Sequence, residues 1–347
     1  MKALRWHAAG DVRLDDVEEP GAPAAGFAVV DVSHCGICGS DLAEYRSGPA
    51  MISLRPHPLS GQAPPITLGH ELSGRVSATG EGSAFAIGAR VTADACWRCG
   101  RCDACVRGHY NLCRFGGSIG LHSDGAFAAK VVVPEYTLVA LPDGVSDEAG
   151  ALTEPLAVGL HALERAAVGA AEDVLVLGFG AIGAATALMA RALGACPIVV
   201  EPGPRRRAKA EGLGFRTLDA GENLPRRVRR ALGTGGADVV VDSTGVAALL
   251  PDAVECAKRG GRIVAVGLPS TVTSLDSRRL VLFERTLLGS LGYCHDLPKV
   301  VKMVADMRPT PLELIDQVVP LHDAARTLAE LASSGDGSVK VLVDVRA

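Results

Sequence analysis

The sequence predicts an α/β protein in two units, a doubly wound parallel sheet and a separate β-rich unit. Three observations predict it. After Leu152, strand-like runs alternate with helical stretches rich in Ala and Arg. Gly178, Gly180 and Gly183 stand between the first of those strands and a helix. Before Leu152, short alternating or apolar runs are broken by Gly, Pro and Asp.

The β-rich half contains "FAVVDVS", "LSGRVSAT" and "AKVVVPEYTLVAL", each read as strand. Gly48 to Pro65 holds Pro49, Pro56, Pro58, Pro64 and Pro65 and reads as a long surface loop of the kind that often carries function. In the second unit "DVLVLGFGAIG" is a strand entering a helix. "CPIVVEP", "ADVVVDSTG", "GRIVAVGLP" and "RTLLGSLGY" are four further strands. Strands alternating with helices imply parallel pairing through crossovers. The final strand, "SVKVLVDV", follows the helix-like "LHDAARTLAELASSG" (321–335) and is expected to return to the first unit. The expected division is therefore 1–152 with 294–347, and 153–293.

Composition narrows the function. The 347 residues carry a formal charge of −4, and aromatics make up 4%. A nucleic-acid binder needs phosphate-neutralising charge or stacking platforms, and neither is present in bulk. The opening "MKALRWHAAGDVRLDD" has no apolar core of a secretory signal. The uncharged run Val174 to Ala190 contains Gly178, Gly180 and Gly183 and reads as strand, turn and helix rather than a membrane span. Of ten cysteines, Cys96, Cys99, Cys102, Cys105 and Cys113 lie within eighteen residues. In a reducing, cytoplasmic setting such clustering favours thiolates on a metal over disulfides.

"GFGAIG" has the G-x-G-x-x-G spacing, with Ile182 before its last glycine. Gly178 permits the tight turn, Gly180 lets backbone approach a pyrophosphate, and Gly183 lets the helix pack on the strand. The helix N-terminus then meets the phosphates. Glu201 closes the next strand, where a carboxylate accepts both ribose hydroxyls and repels a 2′-phosphate, favouring NAD(H) over NADP(H). Arg205, Arg206 and Arg207 follow, readable as a solvated basic face, as an adenine stack, or as tolerance of that phosphate. Val266, Leu268 and the segment Ser290 to Tyr293 follow strand ends, where ligands of parallel sheets bind.

Two metal sites are expected. Cys99, Cys102, Cys105 and Cys113 give C-x2-C-x2-C-x7-C, a closed tetrathiolate shell for structural zinc. An iron–sulfur run needs C-x2-C-x2-C-x3-C-P. The set starting at Cys96 departs from it in its last gap and in Val106. Cys96 is left as a spare or substitute ligand. The second site is only suggested by spacing: Cys38 in "GICGSD", His70 and Glu71 in "ITLGHELSG", and Glu154 in "ALTEPLAVGLHAL" can supply an open zinc site. A lone Cys or His in an apolar segment is more often core than ligand, and a Glu at a turn is more often solvated.

These motifs, in this order and at these separations, resemble the zinc-dependent medium-chain alcohol and polyol dehydrogenases over essentially the whole chain. The Pro-rich "SGPAMISLRPHPLSGQAPPITLGHE" is similar to that of the 2,3-butanediol (acetoin) and sorbitol dehydrogenase branch. The resemblance implies a Rossmann domain beside a GroES-like catalytic domain. It implies two zinc ions per chain, NAD with NADP as the variant, a small alcohol or ketone as substrate, and a homodimer or homotetramer. It further implies a catalytic zinc on Cys38 and His70, with Glu71 as third ligand and Glu154 as ligand or water-bonding partner. Asp41 is implied to hydrogen-bond His70, and Ser40 to be the hydroxyl nearest the reacting oxygen.

One position departs from the family. Many relatives read "GSDLHEY", whereas this chain reads "GSDLAEY", and Ala43 cannot relay a proton. Three readings follow: Glu44 or Glu154 with water carries the proton, turnover is slower or shifted in pH, or the vacated space serves a bulkier substrate. The expected function is hydride transfer between NAD(H) and a secondary alcohol or its ketone. A pathway-specific ketone reductase is the alternative, and a silent nucleotide- and zinc-binding protein is the alternative of another class.

Overall fold

A computed structural model describes residues 1–307, 310–334 and 337–347. The helix expected over 321–335 spans Ala324–Ser334, and Gly335 lies outside the described residues.

The strand Asp173–Leu177 reads DVLVL, and its last four residues are buried. Such a continuous apolar run suits a strand covered on both faces. It is central in a six-stranded parallel sheet with Cys196–Val200 and Arg216–Leu218 on one side. Ala237–Asp242, Ala257–Ala265 and Thr286–Gly289 lie on the other. In chain order this is 3-2-1-4-5-6, the Rossmann arrangement. Five of the six strands are those expected. Arg216–Leu218 escapes sequence reading because it is three residues long and none of them is buried.

The β-rich unit is organised on Phe27–Gly36. It pairs antiparallel with Glu71–Thr79, with Lys130–Pro134 and with the C-terminal strand Lys340–Asp344. Leu342, Val343 and Asp344 stand opposite Gly36, Cys35 and His34, so the end of the chain does return to the first sheet. No helix or strand forms between Ser47 and Ile66, in keeping with the expected loop.

The segment after 294, expected in the β-rich unit, begins with a helix. The helix Leu297–Val304 buries Leu297, Val300, Val301 and Val304, an i, i+3, i+4, i+7 stripe. That stripe joins an apolar cluster holding Val174, Val176 and Leu188 of the Rossmann unit and Leu141, Val145 and Leu342 of the β-rich unit. The chain re-enters the other sheet only with Ile315–Pro320, which pairs parallel to Lys340–Asp344. No helix among the described residues is long and apolar enough to cross a membrane.

Candidate active site and metal centres

Sheet register builds the first donor set. Gly36 at the end of its strand stands opposite Glu71. A Cβ on Gly36 would lie 1.9 Å from Glu71 Oε2, so only glycine lets the carboxylate lie across that strand. Two residues on, Cys38 precedes the helix Gly39–Ser47, and its N–H donates to the Asp41 carboxylate at 2.9 Å. Cys38 Sγ, a His70 ring nitrogen and a Glu71 carboxylate oxygen all lie within 4.8 Å of one another. A thiolate, an imidazole and a carboxylate are zinc donors, and this spacing is what ligands around one ion require. The residues present therefore fit a zinc ion.

The surroundings correct two expectations. Asp41 Oδ1 is 3.9 Å from His70 Nδ1, too far for the expected hydrogen bond, and both buried atoms lack a partner among the described residues. Burial raises the Asp41 carboxyl above its ordinary value. Glu71 is not a free ligand: Lys340 Nζ donates to both its oxygens, at 2.7 and 2.6 Å, and to Ile37 O at 3.0 Å. Sequence reading missed Lys340. The available signal was a lysine inside the apolar run "VKVLV", where a buried charge needs a partner.

Ser40, His70 and Glu154 line one cavity of about 340 Å3, with Trp97, Leu121, His122 and Tyr293 also in its wall. Ser40 Oγ is 3.4 Å from His70 Nε2. Glu154 lies in the first turn of the helix Thr153–Arg165. Burial, reinforced by Glu71 and opposed by His70 and Lys340, pushes its carboxyl up to about 7. It stands outside the compact donor set.

Glu44 does not line that cavity. Its buried carboxylate accepts main-chain N–H groups of Ala50, Met51 and Ile52 and so clamps the Pro-rich loop. That engagement corrects its expected part in proton transfer. Ala43 lines neither this cavity nor the one described next.

The glycine motif sits as expected between the strand Asp173–Leu177 and the helix Ala181–Ala192. A Cβ on Gly183 would lie 2.1 Å from Gly178 O, which is why the helix can pack so closely. A second cavity, of about 250 Å3, is lined by Gly180, Ile182, Arg206, Cys38 and Lys340. Glu201 accepts from Phe179 N and Gly203 N, both at 2.7 Å, which fixes its carboxylate against the glycine turn. Val266 and Leu268 follow the strand Ala257–Ala265 and line neither cavity; Leu268 is 75% exposed.

Cys99, Cys102, Cys105 and Cys113 bring their sulfurs within 4.8 Å of one another, and all ten cysteines are free. Main-chain N–H groups of Cys105 and Arg114 bring the Cys102 thiol down to about 6. Four converging sulfurs fit a closed zinc shell. Cys96 stands outside the set, in the wall of the larger cavity.

A Rossmann sheet, a glycine turn and a Cys–His–Glu donor set define a class, the metal- and nucleotide-dependent oxidoreductases acting on CH–OH groups. Residues 24–143 match the alcohol dehydrogenase GroES-like domain, and residues 181–306 match the zinc-binding dehydrogenase family. The chain is 34% identical to (R,R)-butanediol dehydrogenase of Bacillus subtilis (strain 168), over 99% of each chain. The crystal structure of 2R,3R-butanediol dehydrogenase from that species superposes with a TM-score of 0.91, at 99% coverage of both. The 2-dehydro-3-deoxy-L-galactonate 5-dehydrogenase of Pseudoalteromonas atlantica is 34% identical over 94% of each. A zinc-binding dehydrogenase of Sinorhizobium meliloti 1021 bound to NADP is 32% identical, with a TM-score of 0.89 over 99% of this chain and 98% of that one. This chain belongs to the zinc-dependent medium-chain alcohol dehydrogenase family, whose cofactors are zinc and a nicotinamide dinucleotide.

Proposed function

We propose that the chain interconverts a secondary alcohol and its ketone with NAD(H), on a small substrate carrying a neighbouring oxygen: a diol, an acyloin or a polyol. One observation carries this reading. Cys38 lines the cavity at the glycine turn, while Ser40, His70 and Glu154 line the other, and Cys38 and His70 belong to one donor set. A dinucleotide on one side and an alcohol on the other thus meet at a shared metal position. The butanediol and galactonate relatives support the substrate class.

When bound, zinc supplies Lewis-acid polarisation of the substrate oxygen, and the dinucleotide supplies the hydride acceptor or donor. Cys38 and His70 would hold the ion with Glu71, whose charge Lys340 shares. Ser40 Oγ hydrogen-bonds the reacting oxygen, and a Glu154 carboxylate oxygen holds the exchanging proton. Leu121 and Trp97 keep water out of the cavity. Gly178, Gly180, Ile182 and Gly183 seat the pyrophosphate, Arg206 faces it, and Glu201 selects NAD(H). Val266 and Leu268 border the nicotinamide from the neighbouring strand end.

Residues 1–152 and the returning strands from Ile315 form the catalytic unit, and the Rossmann unit lies between them. The second zinc, on Cys99, Cys102, Cys105 and Cys113, is structural. The edge strand Thr286–Gly289, with exposed Val281 and Leu282 shortly before it in the chain, supports a homodimer paired along that edge. Ten free cysteines support a cytoplasmic setting.

The test is zinc content with initial rates on 2,3-butanediol, acetoin and sorbitol, each with both coenzymes. We expect two zinc per chain, turnover of at least one pair, and kcat/KM at least about tenfold higher with NAD(H). Two bound zinc without turnover of any pair would sink the proposal.

A further inference from the structure

We propose that His122 donates a hydrogen bond to a second oxygen of the substrate and thereby selects alcohols that carry a neighbouring hydroxyl or carbonyl. This assignment rests on the functional reading above and adds the group that does the recognising.

His122 lines the cavity that holds Ser40, His70 and Glu154. The Ser118 N–H donates to His122 Nδ1 at 3.1 Å. Nδ1 is thus an acceptor, and in the neutral ring the proton sits on Nε2. The ring is also braced. His57 packs edge-on against it, with centroids 5.0 Å apart and planes at 63°. His57 Nε2 in turn faces Gly116 O at 3.2 Å, which ties this residue of the Pro-rich loop to the same wall. Burial, with His57 beside it, holds His122 below the ordinary histidine value, so the ring is neutral near pH 7.

Several other polar groups in that wall already have partners, and the Tyr293 hydroxyl accepts from Ala95 N at 2.9 Å. Asn111 Nδ2 donates to Leu291 O at 2.9 Å and Ser118 Oγ to Ile119 O at 3.0 Å. The Tyr110 hydroxyl donates to Asp94 at 2.7 Å and Trp97 Nε1 to Ser123 Oγ at 3.0 Å. His122 Nε2 has no hydrogen-bond partner among the described residues. Met51 and Leu121 make much of the remaining wall apolar. A substrate with one oxygen satisfies the end at Ser40 and His70 and leaves the His122 donor unpaired. A second oxygen along the chain satisfies both. An unpaired donor in a closing site penalises the analogue that lacks the oxygen.

The experiment compares 2,3-butanediol with 2-butanol, using NAD+, in the wild type and in His122→Phe and His122→Gln. The wild type should favour the diol by at least about tenfold in kcat/KM, equivalent to ~1.4 kcal/mol. His122→Phe keeps a planar ring without the donor. It should remove most of that preference while leaving 2-butanol within about threefold of wild type. His122→Gln restores an N–H and should recover part of it. Equal losses on both alcohols, or a wild type with no preference, overturn the inference and leave the functional reading standing. A wild type that oxidises neither alcohol nor any substrate of the panel above overturns both. If the Phe variant does not fold, His122→Leu takes its place with the same expected loss of preference, and a wild type without preference still overturns the inference.

Discussion

Lys340 Nζ reaches both carboxylate oxygens of Glu71, and neither side chain is more than 2% exposed. A buried charge pair of this kind is costly to break from one side, because the survivor is left without compensation. Lys340→Met should therefore lower unfolding free energy by about 3–5 kcal/mol in a denaturant titration. The double variant Lys340→Met with Glu71→Leu should recover most of that loss. Additive losses in the double variant would show that the pair is not what holds Glu71.

The two buried glutamates near the site separate cleanly by their contacts. Glu154→Gln should depress kcat by about 10²- to 10⁴-fold, the usual contribution of a positioned proton carrier. Glu44→Gln should leave the pH profile of kcat unchanged and lower the melting temperature, since it loosens the clamp on Ala50, Met51 and Ile52. A kcat loss for Glu44→Gln as large as that for Glu154→Gln would return Glu44 to the proton route.

Metal loss from the four-cysteine lobe should reach the substrate. Tyr110, Asn111 and Gly116 lie in or beside that lobe and also line the larger cavity. Cys105→Ser should reduce zinc from two to one per chain, read by atomic emission. KM for the alcohol should rise more than kcat falls, because the reacting groups stay in place. Unchanged KM at one zinc per chain would show the lobe to be energetically separate.

Acid stability should depend on Asp147. Burial raises its carboxyl, but hydrogen bonds from Arg90 and Ser33 and the charges of Arg90 and Arg346 outweigh that and hold it below 3.8. Arg90 donates to it at 2.7 and 3.1 Å, and Ser33 at 2.8 Å. A depressed value in the folded state means stability that is complete above the unfolded value and is lost as pH falls through the folded one. Asp147→Asn should cost about 1.5–3 kcal/mol at pH 7. Its stability should also fall less steeply than that of wild type below pH 4, in denaturant titrations stepped from pH 6 to 3. Parallel curves would contradict this.

Local chemistry explains what could be read from residues alone. The glycine turn, the four-cysteine spacing and five of six Rossmann strands are contiguous signals, each complete within a few dozen residues. Cys38, His70 and Glu71 were legible only through family resemblance, because their spacing alone also fits ordinary core residues. Lys340 was not legible at all as a partner of Glu71. Nothing local connects residue 340 to residue 71, and only the register of the C-terminal strand beside Phe27–Gly36 does so. Glu44 misled for the same reason: a glutamate near the serine looks like a proton carrier until the loop folds over it. The apolar stripe of the helix Leu297–Val304 says that it packs, not on which sheet, so residues alone do not locate the unit boundary near 294.

The pairing of Lys340–Asp344 with Phe27–Gly36 gives the order of events during biosynthesis a physical meaning. A chain emerging from the ribosome has Cys38, His70 and Glu71 long before it has the lysine that compensates the glutamate. Residues 34–36 of its first sheet lack their neighbour until Lys340–Asp344 has been made. A chain stopped before residue 340 therefore carries a buried carboxylate without its lysine and a strand end without its neighbour.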